Sequence, residues 1–117
     1  MGQTVAFLGL GHMGGPMSAN LSAAGHRVRG FDPVPAAAEA ARAHGATVCD
    51  SGADAVAEAD VVITMLPHGD AVKRCYAEIL PVARPGTLLI DSSTISVVDA
   101  REVHAMAGSH GLAQLDA

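Results

Sequence analysis

Near the start of the chain, Gly9-Leu10-Gly11-His12-Met13-Gly14 spells G-x-G-x-x-G directly after the strand-like run Thr4–Leu8. The pattern alone is weak, because glycine-rich turns are common. Its setting is what gives it chemistry: a buried strand leads in and a helix leads out, the arrangement that cradles a pyrophosphate. Gly9 permits the tight turn, Gly11 lets a phosphate approach the backbone, and Gly14 lets helix and strand pack closely. The helix start then offers unpaired N–H groups and the positive end of its dipole to the anion. Pro16 falls in the first helical turn, where its missing N–H costs nothing.

Asp32 closes the next β-type run about 20 residues further on, where an acid bonds the ribose hydroxyls of NAD and repels the 2′-phosphate of NADP. Pro33-Val34-Pro35 follows with no cation to hold an extra phosphate, so NAD is expected over NADP. Two other readings stay open at this level. One is a structural turn with a solvated Asp32. The other is an S-adenosylmethionine site, which places glycines and an acid similarly, although the third glycine, Gly14, suits a dinucleotide better.

The elements that must position these groups alternate along the chain. Thr4–Leu8 is expected as a strand buried on both faces, since it is apolar without alternation. Met13–Ala24 reads as a helix closed by Gly25, Arg27–Phe31 as a strand, and Pro35–His44 as a helix closed by Gly45. Ala46–Cys49 reads as a short strand, and Ser51 with Asp54 opens a short helix to about Ala59. Val61–Met65 is expected as a strand, Gly69–Leu80 as a helix, and Pro85-Gly86 as a turn. Thr87–Asp91, a helix Val97–Ala107 closed by Gly108, and a strand Leu112–Asp116 complete the series. Such βα alternation predicts an α/β fold: a Rossmann-type doubly wound parallel sheet of strand order 3-2-1-4-5-6 in three αβα layers.

Composition agrees. The chain of 117 residues is half hydrophobic but 3% aromatic, with no Trp, so small aliphatic side chains must fill the core. That length suits one domain, residues 1–117. A net charge of −5 and dispersed Arg residues exclude a nucleic-acid surface. No run approaches a membrane span, and the apolar start lacks the basic flank of a secretion signal. Cys49 and Cys75 form no CxxC pair, so free thiols in a cytoplasmic protein are expected. The histidines His12, His26, His44, His68, His104 and His110 show no ligand spacing, and no metal is expected.

Further motifs support a family resemblance. Phe7-Leu8-Gly9-Leu10-Gly11-His12-Met13-Gly14-Gly15-Pro16-Met17-Ser18-Ala19-Asn20-Leu21 resembles the opening of the β-hydroxyacid dehydrogenases, the 3-hydroxyisobutyrate dehydrogenase group in particular. Ile63-Thr64-Met65-Leu66-Pro67 is similar to that family's fourth-strand segment, and Leu89-Ile90-Asp91-Ser92-Ser93-Thr94-Ile95-Ser96 to its D-x-S-T segment. The resemblance implies that Gly9, Leu10, Gly11, His12, Met13, Gly14, Phe31, Asp32, Met65, Leu66, Pro67 and Thr94 line a dinucleotide site. Strand-end packing is the alternative for Met65, Leu66 and Pro67, and helix capping the alternative for Thr94. The chain departs from the family at Val97, where Pro is common, at His12, where Asn is frequent, and at Ala71, where some relatives carry Asn.

The same resemblance implies a parent enzyme that moves hydride between NAD and a small β-hydroxyacid. Its substrate segment and catalytic Lys would lie past Ala117, in a helical domain that also builds the dimer. Lys73 is the chain's single lysine; beside Arg74 and near Glu78 it reads as part of a solvated helix face. The chain alone is therefore expected to bind cofactor without turnover. Its last strand should form an apolar edge through Leu112 and Leu115, prone to weak self-association. A stand-alone dinucleotide-binding module and a non-catalytic interaction protein are the rival readings; an acidic chain without a basic tail speaks against chromatin as a partner.

Overall fold

The computed structural model describes residues 2–11 and 14–116. Strands β1 (Thr4–Leu8), β2 (Arg27–Phe31), β3 (Thr47–Val48), β4 (Val61–Thr64), β5 (Leu88–Asp91) and β6 (Ala113–Asp116) form one sheet in the order β3-β2-β1-β4-β5-β6. Every pairing is parallel, as the alternation predicted. All of β1 is buried, which is why Val5 to Leu8 are apolar without a period.

Helices α1 (Gly14–Ala23) and α2 (Pro35–Ala43) belong to one layer, and α3 (Gly52–Val56), α4 (Gly69–Ile79) and α5 (Val97–Ser109) to the other. The core divides accordingly. Phe7, Leu10, Val28 and Ala41 pack with Met17 and Leu21 on the first side. Ala6, Leu8, Val62, Val72, Tyr76, Ile79, Leu89 and Val103 pack on the second. Neighbours on β1 thus point to opposite layers, the period of a strand. Small residues such as Ala55, Ala59 and Ala107 are fully buried, letting helices lie close to the sheet.

Register puts the chemistry at one end. Leu8 pairs with Phe31 on one side and Thr64 on the other, Thr64 with Asp91, and Asp91 with Asp116. The C-terminal ends of five neighbouring strands therefore form one level row.

Several element ends differ from expectation. α5 does not stop at Gly108. It runs to Ser109, and the left-handed residue is Gly111, with φ +71°. The Leu112 N–H donates to the Ala107 carbonyl and the Gly111 N–H to the Gly108 carbonyl, so the terminating bonds close three residues later; a glycine inside a helix costs only about 1 kcal/mol. Strand β3 shrinks to Thr47–Val48 because the Ala46 N–H bonds back to Ala41 in the helix terminus. Helix α3 ends at Val56 rather than near Ala59; its start is as expected, with Ser51 Oγ accepting from the Asp54 N–H at 3.0 Å.

Lys73 is not simply solvated. Its Nζ lies 2.6 Å from Asp99 Oδ1 and 2.7 Å from Glu102 Oε2, tying α4 to α5. These hydrogen bonds raise the Lys73 pKa, and the one from Lys73 lowers that of Asp99. A lowered carboxyl contributes stability above its unfolded value, about 3.9, and loses it as pH falls through the folded value. Lys73→Met should therefore lower the melting temperature at neutral pH, and the gap to wild type should close as pH drops below about 4. Melting curves between pH 7 and about 2 check this; a gap independent of pH would assign the loss to packing instead.

Candidate functional site

At the C-terminal end of β1 the chain turns through Gly9, whose φ is +101°. A Cβ there would overlap the Met65 carbonyl oxygen, and one on Gly14 would overlap the Gly9 carbonyl oxygen. Both positions therefore require glycine for closeness, and Gly9 for its backbone angle as well. Gly11 differs: a Cβ would meet nothing within 4 Å. Its missing side chain leaves open space in front of the start of α1, which suits an incoming pyrophosphate. His12 and Met13 lie outside the described residues.

Leu10 is buried and its side chain lies over Gly30, where a Cβ would come within 2.9 Å of Leu10 Cδ1. What Leu10 offers the site is thus backbone. Its N–H donates to Asp32 Oδ2 at 2.8 Å, and the Val34 N–H donates to Asp32 Oδ1 at 2.8 Å. The sequence pointed to a ligand role for Asp32, with a solvated turn residue as the alternative; the structure makes it a clamp that holds the glycine loop to the end of β2. Each carboxylate oxygen keeps a further lone pair for a hydroxyl donor. The Gly9 N–H donates to the carbonyl of half-buried Phe31 at 3.0 Å, a second tie between the same ends.

Met65 and Leu66 leave β4 toward opposite layers, Met65 packing with the α1 side and Leu66 with the α4 side. Pro67 is exposed. The Met65 N–H donates to the Leu8 carbonyl at 2.9 Å, extending the ladder one residue past β4. The Leu66 N–H donates to Ser93 Oγ at 2.7 Å. Thr94 is exposed and does not cap α5; Ser96 does, accepting from the Asp99 N–H at 3.1 Å. The capping alternative for Thr94 is therefore set aside.

Sequence reasoning missed the group beneath this segment. Asp91 is 2% exposed, and its Oδ1 accepts from Thr64 Oγ1 at 2.7 Å and from the Ser93 N–H at 3.2 Å. Asp91 holds Ser93, and Ser93 holds Leu66. An acid ending a buried strand was the available signal. His68 was likewise missed: its Nδ1 caps α4 by accepting from the Ala71 N–H at 3.2 Å.

A cavity of about 320 Å³ opens among the ends of β1, β2 and β4 and the flank of α4. Phe31, Pro33 and Leu66 line it together with Ala71, Arg74 and Cys75. A larger hollow of about 680 Å³ opens at the opposite, N-terminal ends of β4 and β5, around Asp60, Arg84 and Thr87. No glycine loop or helix start faces that hollow, whereas a cavity of about 380 Å³ between α1 and α2 borders the loop at Gly11 and Gly15. The mostly apolar cavity beside Phe31, which joins the ends of β1, β2 and β4, is the candidate for the flat part of a ligand. Burial pushes the Cys75 thiol up to about 12, with Glu78 and Asp91 adding to it, so it is a neutral wall and not a nucleophile. Among the described residues no group of three His, Cys, Asp or Glu could hold a metal ion, and no helix is long and apolar enough to cross a membrane.

Residues 4–117 match the family described as the NAD binding domain of 6-phosphogluconate dehydrogenase. The chain belongs to that family. It is 70% identical over 114 residues to the Mycobacterium tuberculosis protein named "Probable 3-hydroxyisobutyrate dehydrogenase", covering 97% of this chain and 39% of the relative. It is 47% identical over 116 residues to the "NAD-dependent L-serine dehydrogenase" of Pseudomonas aeruginosa, again covering 97% of this chain and 39% of the relative. A solved structure described as Mycobacterium tuberculosis 3-hydroxyisobutyrate dehydrogenase with L-serine superposes with a TM-score of 0.98 at 69% identity, over 99% of this chain and 40% of that one. The chain thus spans about two fifths of the length of these relatives. As a dinucleotide-binding domain of this family, it is set apart from the S-adenosylmethionine alternative.

The glycines separate folding from binding. Gly14→Ala should lower the melting temperature by several degrees, since backbone must move. Gly11→Ala should leave the melting temperature nearly unchanged yet weaken NAD binding tenfold or more, because its methyl fills only the phosphate approach. Calorimetric melting and titration of both variants check this. A Gly11→Ala chain binding NAD like wild type would remove Gly11 from the site.

Proposed function

We propose that this chain binds NAD along the level strand ends, and that in its parent protein the bound dinucleotide exchanges hydride with a small β-hydroxyacid. The observation that carries the reading is Asp32: a carboxylate oriented by two backbone N–H groups, beside a glycine loop open at Gly11. The residues present suit the group. The N-terminus of α1 receives the pyrophosphate, Asp32 accepts from the adenosine ribose hydroxyls, and the cavity beside Phe31 takes the base. Leu66, held by Ser93 and thereby by Asp91, walls that cavity, Met65 and Pro67 continue the lining of the dinucleotide site, and Thr94, beyond β5, reaches the nicotinamide end. When bound, the dinucleotide supplies the ring that gives or accepts hydride.

The substrate class follows from what the relatives' names say of them, 3-hydroxyisobutyrate and L-serine, each a short acid with a hydroxyl on its β-carbon. Neither Lys73 nor Cys75 suits acid–base work on that hydroxyl, and the His68 imidazole is engaged through Nδ1 as the cap of α4. Lys73 is held as an ammonium by Asp99 and Glu102, and Cys75 stays protonated. Substrate proton transfer is accordingly assigned to the part of the parent enzyme that this chain does not span.

NAD should bind this chain about tenfold or more tightly than NADP, the scale of one charge-assisted hydrogen bond. The Leu10 N–H also depends on Asp32, so Asp32→Ala should erase the preference and weaken NAD itself. Titration calorimetry with both cofactors reads this out, and equal or tighter NADP binding by the unaltered chain would overturn the Asp32 assignment.

Association follows from β6, which among the described residues pairs only with β5. Leu115 on that edge is 56% exposed, whereas Leu112, expected beside it, precedes β6 and is buried in the core; an edge strand carrying an exposed leucine invites pairing. Light scattering should show self-association rising with concentration and reduced by Leu115→Lys. Saturating NAD should raise the melting temperature, by mass action worth about 2.7 kcal/mol at a hundredfold excess over Kd. A monomer at all concentrations with an NAD-independent melting temperature would refute both.

A further inference from the structure

Arg29, Arg42, Lys73 and Arg84 each meet a carboxylate, whereas Arg27, Arg74 and Arg101 have no such partner among the described residues. Only Arg74 of these three lines the cavity at the C-terminal strand ends. Its isolation is notable in an acidic chain, because Glu78 stands one helical turn later and lines the same cavity. Two things keep them apart. A cation N-terminal to an acid at i,i+4 is the weaker orientation on a helix, and Glu78 is engaged across the gap, its Oε1 accepting from the Ala53 N–H at 3.3 Å. Arg74 is therefore an exposed guanidinium on the wall of a slot whose other sides are mostly apolar, Phe31 and Pro33 from the end of β2 and Leu66 from the end of β4.

We infer that Arg74 is the adenine-stacking residue of the site, its guanidinium plane lying on the base and closing the slot from the α4 side. This rests on the NAD-binding reading above and adds the residue that grips the base. Arginine suits such stacking because its cation is planar, weakly hydrated and prefers aromatic faces. An apolar slot with one planar cation favours a flat aromatic ring over a sugar or phosphate, which would need more donors and acceptors than these walls carry. No cation follows Asp32 in the sequence; α4 brings one to the same cavity from a different part of the chain.

The test is calorimetric titration of the 117-residue chain and its variants with AMP, NAD and NADP. Arg74→Ala should weaken all three by a similar factor, about 3- to 30-fold, with an unchanged melting temperature. Arg74→Tyr, which keeps a stacking face without charge, should recover most of the loss, and Arg74→Lys, which keeps charge without a plane, should recover less. Loss of NADP binding alone in Arg74→Ala would overturn the inference in favour of a 2′-phosphate contact. Unchanged binding of all three ligands, or better rescue by Lys than by Tyr, would overturn it as well. Failure of the unaltered chain to bind either AMP or NAD would instead remove the underlying reading, and the inference with it.

Discussion

The approach of Gly14 to the Gly9 carbonyl oxygen is the contact on which the rest depends. No side chain fits between them, so α1 can begin immediately beyond the end of β1. That placement sets the start of α1 beside the strand ends, where a helix N-terminus favours an anion. It also brings Leu10 over Gly30, a position where a Cβ would crowd the leucine. A larger residue at any of these sites would lift the loop away from β2 and separate its N–H groups from Asp32. The motif is therefore a packing solution first, and its anion site is a consequence of that packing.

Two carboxylates then fix the two halves of the cleft by different means. Asp32 is partly exposed and accepts from the loop and from Val34, leaving it able to receive a ligand. Asp91 is buried and spends its Oδ1 on Thr64 and Ser93, so it serves the site indirectly by fixing Ser93 under Leu66. A buried polar group without partners costs about 1–3 kcal/mol, which ties the hydroxyl of Thr64 to the acid beside it. Exposure leaves Asp32 open to a ligand, and burial confines Asp91 to positioning.

The layer formed by α3, α4 and α5 contributes more than cover. Lys73 bridges α4 to α5 through Asp99 and Glu102, and the Glu78 side chain bridges α4 to α3. With those two residues directed to neighbouring helices, Arg74 is the charged side chain of α4 that faces the cavity with no carboxylate partner among the described residues. The walls of the slot follow from how α4 is anchored on both sides.

Much of this protein was legible from residue types alone, because the signals are local. Glycine spacing, an uninterrupted apolar first strand, Ser51 before Asp54 and an acid closing the second strand each express a constraint within a few residues, and together they imply the parallel sheet and its order. Helix ends were less legible: Gly108 and Gly111 are chemically the same, and which one adopts the left-handed conformation depends on where the terminating bonds of α5 close. Only the tertiary structure decided the pairings between distant segments. The Leu10 N–H finds Asp32, Leu66 finds Ser93, Lys73 finds Asp99, and Arg74 faces Phe31 and Pro33 across a cavity. Such contacts depend on strand register and helix rotation, which arise from packing the two faces of the whole sheet, and no window of sequence contains them.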